Sequence, residues 1–110
     1  MDKPFKKGGY YIANPEVVFR EEEDGGIILE PNTGELKFLN ETGALIFKLC
    51  DGKHTLKNIV EQIVAEFEVK DEENVKRHVE EFIGKLRDKG LVGLCLKENL
   101  LPGGDNEEKI

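Results

Sequence analysis

Two short apolar runs and one segment of alternating charged and apolar residues predict three β-strands in the first part of the chain. These strands are Val17–Arg20, Ile27–Glu30 and Glu35–Leu39. Glycine and proline residues stand between them and supply the turns. In the third strand charged and apolar residues alternate, so Glu35 and Lys37 should face one way and Leu36 and Phe38 the other.

A longer apolar period follows and predicts three helices. Each begins after a residue whose side chain can cap a helix: Asn40, Thr55 and Asp71. Lys89–Gly90 ends the third helix, and Leu91–Leu96 then forms a short strand. The predicted fold is therefore α+β, with an N-terminal three-stranded antiparallel sheet, three helices and a short C-terminal strand. This order is the outline of a winged helix-turn-helix.

The regular pattern covers residues 17–96, which we assign to one domain. Residues 1–16 show no clear period and are predicted to form an irregular N-terminal arm, with Tyr10 and Tyr11 as its anchor. Residues 97–110 are rich in charge and glycine and are predicted to form a flexible C-terminal tail.

Charge and hydropathy narrow the classes of partner. The chain has 16 Lys and Arg against 23 Asp and Glu, a net charge of −7, which opposes binding to nucleic acid and to anionic membranes. The longest uncharged apolar stretch, Leu91–Leu96, is far shorter than the about 20 residues that span a bilayer. The residues after Met1 do not resemble a secretory signal. We therefore predict a cytoplasmic protein that binds neither nucleic acid nor membrane.

Few residues suggest metal binding or catalysis. The chain contains two cysteines and two histidines: Cys50, His54, His78 and Cys95. They include no Cys-x-x-Cys pair, and both cysteines stand in apolar runs, so we predict reduced, mostly buried thiols and no metal site. The sequence has no serine, no glycine-rich phosphate loop after a strand and no cysteine beside a base. We therefore predict no catalytic residue and no cofactor.

Three blocks of the sequence together resemble the PqqD family. The blocks are Leu39–Gly52, Lys53–Val60 and the helix end Leu86–Val92, and the resemblance covers most of the chain. That family comprises peptide chaperones of pyrroloquinoline quinone biosynthesis and related recognition elements for ribosomally made, modified peptides. The resemblance implies a non-catalytic protein that binds the leader segment of a precursor peptide. It also implies a maturation enzyme as partner, such as a radical S-adenosylmethionine (SAM) protein.

In this family the leader is held as an added strand beside the third strand of the sheet and the last helix, which suits an exposed strand edge. The candidate peptide-binding residues are Leu36, Lys37, Phe38, Leu39, His78, Phe82 and Lys85. Lys37 and Lys85 would attract an acidic leader side chain. On the third helix His78 and Lys85 lie on one flank of the buried stripe and Ile83 on the other. The sequence leaves open which flank faces the strand.

Other interpretations fit the same residues. From the alternation alone, Leu36, Phe38 and Phe82 would be core residues, and Lys37 and Lys85 would be solvated charges. A winged-helix DNA-binding regulator is an alternative function, although the third helix carries a near balance of charges. A structural subunit that pairs through the same sheet edge is a third, and exchange of that edge would allow a homodimer.

Overall fold

The computed structural model describes residues 9–95, which form six strands and three helices. In chain order these are β1 (Tyr10–Ala13), β2 (Val18–Glu22), β3 (Gly25–Leu29), β4 (Leu36–Asn40), α1 (Glu41–Leu49), β5 (Asp51–His54), α2 (Leu56–Phe67), α3 (Glu72–Asp88) and β6 (Val92–Cys95). The predicted α+β class is confirmed, as is the order of a three-stranded antiparallel sheet, three helices and a C-terminal strand. The predicted C-terminal tail and the first half of the arm lie outside the described residues.

The first sheet contains β2, β3 and β4 in that order, and all its strands are antiparallel. Its inner face packs against α1. The rings of Phe19 in β2 and Phe47 in α1 lie 5.2 Å apart, and Ile28 in β3 is completely buried. This packing leaves β4 at an edge of the sheet, directly before the helix that it leads into.

A second antiparallel sheet has the order β5, β1, β6. Tyr10–Ala13 forms its central strand, so the prediction of an irregular arm is wrong for these residues. Tyr11 packs against the core, and this burial raises its pKa. Strand β5 was also missed, because Asp51–Gly52 was interpreted only as the end of a helix. The partners of β1 lie far along the chain, and a local pattern carries no sign of such pairing.

The predicted caps hold the helices in place. The side chains of Asn40, Thr55 and Asp71 each accept a hydrogen bond from a backbone N–H of the first helical turn, at 2.8–3.1 Å. Each such cap stabilises its helix by about 1 kcal/mol. Helix α3 buries one stripe against the core, formed by Val75, Val79, Ile83 and Leu86. This stripe fixes the rotation of α3 about its axis and so decides which flank reaches the first sheet.

Within residues 9–95, no helix combines the length and the apolar character needed to cross a membrane.

Candidate functional site

Strand β4 has one paired side and one open side. The N–H of Glu30 donates to the carbonyl of Glu35 at 2.9 Å, which continues the register of β3 and β4 by one pair beyond Leu29 and Leu36. Hydrogen-bonded pairs alternate along an antiparallel ladder. Lys37 therefore turns its backbone groups toward β3, whereas Leu36 and Phe38 turn theirs toward the open side. In the part of the chain that the structure describes, no strand pairs with that side.

Beside the open edge of β4 lies a groove of about 420 Å³ that reaches α3. It is lined by Phe38, Leu39, Asn40, Thr42, Gly43, Ile46, His78 and Phe82. Four of the seven residues predicted for the site therefore line one groove: Phe38, Leu39, His78 and Phe82. The groove has aromatic side chains from both the strand and the helix, with an apolar floor between them, and it suits an apolar side chain of a peptide.

Leu36 and Phe38 of β4 are too exposed to be core residues. Leu36 is 58% and Phe38 is 72% exposed, whereas Leu39 is 8% exposed. The alternation was correct, but its apolar side faces outward. Leu39 follows Phe38 directly, and it is Leu39 that shares the inner face with the buried Ile28. An exposed phenylalanine on an unpaired strand indicates a surface that binds something.

The flank of α3 that carries His78 is the one that faces the strand. Val79 and Ile83 are buried, and the flank with His78 and Phe82 faces β4. Lys85 lies near the end of the same helix, is exposed, and is not among the residues that line the groove. The groove-facing part of α3 is therefore one aromatic ring and one imidazole, with Lys85 beyond them.

Gly43 in α1 determines how closely α3 approaches this helix. A Cβ atom at this position would lie 3.2 Å from Cζ of Phe82 and 3.3 Å from Oδ1 of Asn40. A side chain at this position would therefore require the Phe82 ring and the Asn40 side chain to shift by a few tenths of an ångström. Gly43 was not among the residues predicted for the site, although a glycine three residues after the N-cap Asn40 was a signal in the sequence.

Lys37 has a buried partner that the sequence did not reveal. Its Nζ lies 3.9 Å from Oε2 of Glu30, and Glu30 is only 7% exposed. That Oε2 has no hydrogen-bond partner within the described residues. A buried carboxylate is stabilised by a nearby cation. Glu30 therefore offsets part of the Lys37 charge that would otherwise attract an acidic peptide side chain.

The two cysteines are free thiols. Cys50 is buried, and burial together with the nearby Asp51 carboxylate raises its pKa to about 12. Cys95 is partly buried. Among residues 9–95, no three side chains of the metal-ligating types converge.

Comparisons with known proteins bear on this fold and groove. The family model described as coenzyme PQQ synthesis protein D (PqqD) matches residues 25–92. The chain belongs to the PqqD family. The predicted resemblance is thereby confirmed, and the matched region of this PqqD-family chain contains β3, β4 and all three helices. No curated protein sequence matches the chain.

Two solved structures are similar to this PqqD-family chain. The first is TbiB1 in complex with the TbiA(beta) leader peptide, with 28% identity and a TM-score of 0.66 over 74% of this chain and 93% of that one. The second is a lasso peptide synthetase B1 complexed with the leader peptide, with 26% identity and a TM-score of 0.63 over 76% of this chain and 96% of that one.

Proposed function

We propose that this protein is a non-catalytic recognition protein that binds the leader segment of a ribosomally made precursor peptide along β4 and presents it to a maturation enzyme. The observation that carries this proposal is Phe38, 72% exposed on a strand with an open edge and beside an apolar groove. Family membership and the two similar leader-peptide complexes support it.

The binding mode follows from the backbone of β4. A leader added as a strand would exchange main-chain hydrogen bonds with Leu36 and Phe38, each adding about 0.5–1.5 kcal/mol. Its side chains would alternate between the two faces of the sheet. Those on the inner face would enter the groove beside Leu39, His78 and Phe82. Lys37, between Leu36 and Phe38, would lie opposite the middle of the bound segment with its side chain on the inner face, and Lys85 would lie beyond the groove on α3.

The chemical class of the maturation enzyme is a further part of the proposal. The family resemblance favours a radical SAM enzyme, whose chemistry would be supplied entirely by that partner. The present chain would contribute recognition alone, since the polar residues that line its groove are His78, Asn40 and Thr42, and no hydrogen bond among the described residues joins them into a set of acid, base and nucleophile. A stable complex of this chain with such an enzyme, isolated from purified components, would support this expectation.

The test of the function starts from a displayed library of random peptides, from which a binding peptide is selected. The peptide and a duplex DNA are then titrated separately into isotope-labelled protein at low and at high salt. Leader-type binding should shift the amide signals of Leu36–Asn40 and of residues 78–86, and these shifts should persist in high salt. DNA binding would instead weaken steeply as salt rises. Shifts that only DNA produces, and that salt abolishes, would show that the proposal is wrong.

A further inference from the structure

The outer face of the first sheet, which faces away from α1, carries a row of apolar side chains across all three strands. Val18, Leu29 and Leu36 lie directly opposite one another and are 57%, 36% and 58% exposed. Phe38 stands on the same face, two residues further along β4. Of the five large apolar residues described as exposed in residues 9–95, four lie on this face. We call it the outer face.

Negative charge borders the outer face at both ends. The exposed carboxylate of Glu16 lies at one end of the strands, and those of Glu23 and Asp24 lie in the turn at the other end. On the face itself the guanidinium of Arg20 is paired with Glu22, at 2.9 Å. A partner that covers this face should therefore offer an apolar centre and a basic border.

A second copy of the chain does not meet these conditions. Two copies stacked through the outer face would bring their acidic borders together. This charge repulsion disfavours self-association through this surface.

A bound leader would enlarge the outer face. Leader residues opposite Leu36 and Phe38 would point their side chains to the same side as these two, because directly paired residues of adjacent strands share a face. The added strand would widen the face by roughly a third. The complete surface would therefore exist only in the leader-bound protein.

We propose that the outer face, together with the outward side chains of a bound leader, is the docking surface for the enzyme that modifies the precursor. This inference rests on the proposed function. The enzyme presents an apolar patch bordered by Lys and Arg, and it binds the leader-loaded protein more tightly than the empty protein. Because coupling between two ligands is reciprocal, the enzyme tightens leader binding by the same factor.

The test begins with a photo-crosslinking residue placed at Leu29 in the full-length chain, with Gln62 on the exposed side of α2 as the control position. Each protein is loaded with the selected peptide and irradiated in an extract of its source cells. An enzyme that cross-links from Leu29 and not from Gln62 is then purified. Its affinity for the chain is measured with and without peptide and at two salt concentrations.

Two variants connect the captured enzyme to the outer face. Leu29→Glu and Val18→Glu should each weaken enzyme binding by about tenfold or more, while the peptide affinity stays within about twofold. Val18 lies on an edge strand and is more exposed than Leu29, so its variant guards against misfolding of the other. The peptide should strengthen enzyme binding to the wild type, and high salt should weaken it.

Several outcomes would overturn the inference. One is a cross-link from Leu29 to a second copy or to residues 1–8 of the chain, and another is the absence of any specific cross-link. A third is an enzyme affinity that is unchanged by Val18→Glu or by the peptide. If the peptide binds wild-type protein but the enzyme fails these tests, the docking surface is wrong and the proposed function stands. If no peptide binds at the β4 edge, the proposed function itself falls.

Discussion

Replacing Phe38 with alanine should weaken peptide binding while leaving the fold intact. Full burial of a phenylalanine side chain is worth about 1.5–3 kcal/mol. Phe38 is 72% exposed, so a peptide bound along β4 can bury at most that share, or about 1–2 kcal/mol. The expected loss of affinity is therefore about 6- to 30-fold. The share already buried would reduce the free energy of unfolding by only about 0.4–0.8 kcal/mol.

Two controls separate binding from stability in this prediction. Val18→Ala removes an exposed side chain from the same face but two strands away from β4, and it should leave the peptide affinity unchanged. Ile28→Ala removes a completely buried side chain and should lower the free energy of unfolding by about 2–5 kcal/mol. Fluorescence anisotropy with the selected peptide gives the affinities, and urea denaturation gives the stabilities.

The reasoning would be refuted by either of two results. One is an affinity change below about twofold for Phe38→Ala, because the exposed ring would then contribute nothing to the site. The other is an equal loss of affinity for Val18→Ala, which would mean that the peptide covers the outer face rather than the edge.

Three further predictions follow from the geometry of β4, α1 and the core. Leu36→Pro removes an N–H that faces the open edge and should weaken peptide binding with little loss of stability. Lys37→Pro instead removes a hydrogen bond to β3 and should lower the urea midpoint. Equal urea midpoints for the two variants would contradict the hydrogen-bond pattern deduced for β3 and β4. The Cβ atom of Gly43→Ala would meet the Phe82 ring at 3.2 Å. This variant should reduce peptide affinity several-fold in an anisotropy titration, while its circular dichroism spectrum stays unchanged. Unaltered affinity would show that this part of the groove does not contact the peptide. Burial raises the pKa of the Cys50 thiol to about 12, so this thiol should stay protonated at mildly alkaline pH and react with iodoacetamide only after urea is added. Rapid labelling of the native protein, detected by mass spectrometry, would contradict this prediction.

Features with local signals were predictable from the sequence. The caps at Asn40, Thr55 and Asp71 form as their side chains indicate, because a capping hydrogen bond reaches only two or three residues along the chain. The open strand before the first helix was also predictable, since alternation in β4 is local. By contrast, β1 and β5 form a sheet only through partners distant in sequence, and no local period reports such pairing.

The candidate site likewise contains residues that the sequence predicted and features that it could not predict. Family resemblance and alternation selected Phe38, Leu39 and Phe82, and these residues do meet at one groove. The orientation of β4 was not predictable from the alternation, because two adjacent apolar residues compete for the inner face and only packing against α1 decides between them. The role of Glu30 was equally hidden, since its burial beside Lys37 depends on how the loop between β3 and β4 folds.

An open strand edge and an apolar outer face on the same strand create a risk of self-association. The charges around them oppose it. Carboxylates at both ends of the first sheet would meet their own copies if two chains stacked face to face, and the net charge of −7 adds general repulsion. The same charges would not repel a peptide or an enzyme with a basic border. The arrangement thus discriminates by charge among molecules that all offer an apolar contact, because the apolar centre gives affinity and the acidic border decides which partner can approach.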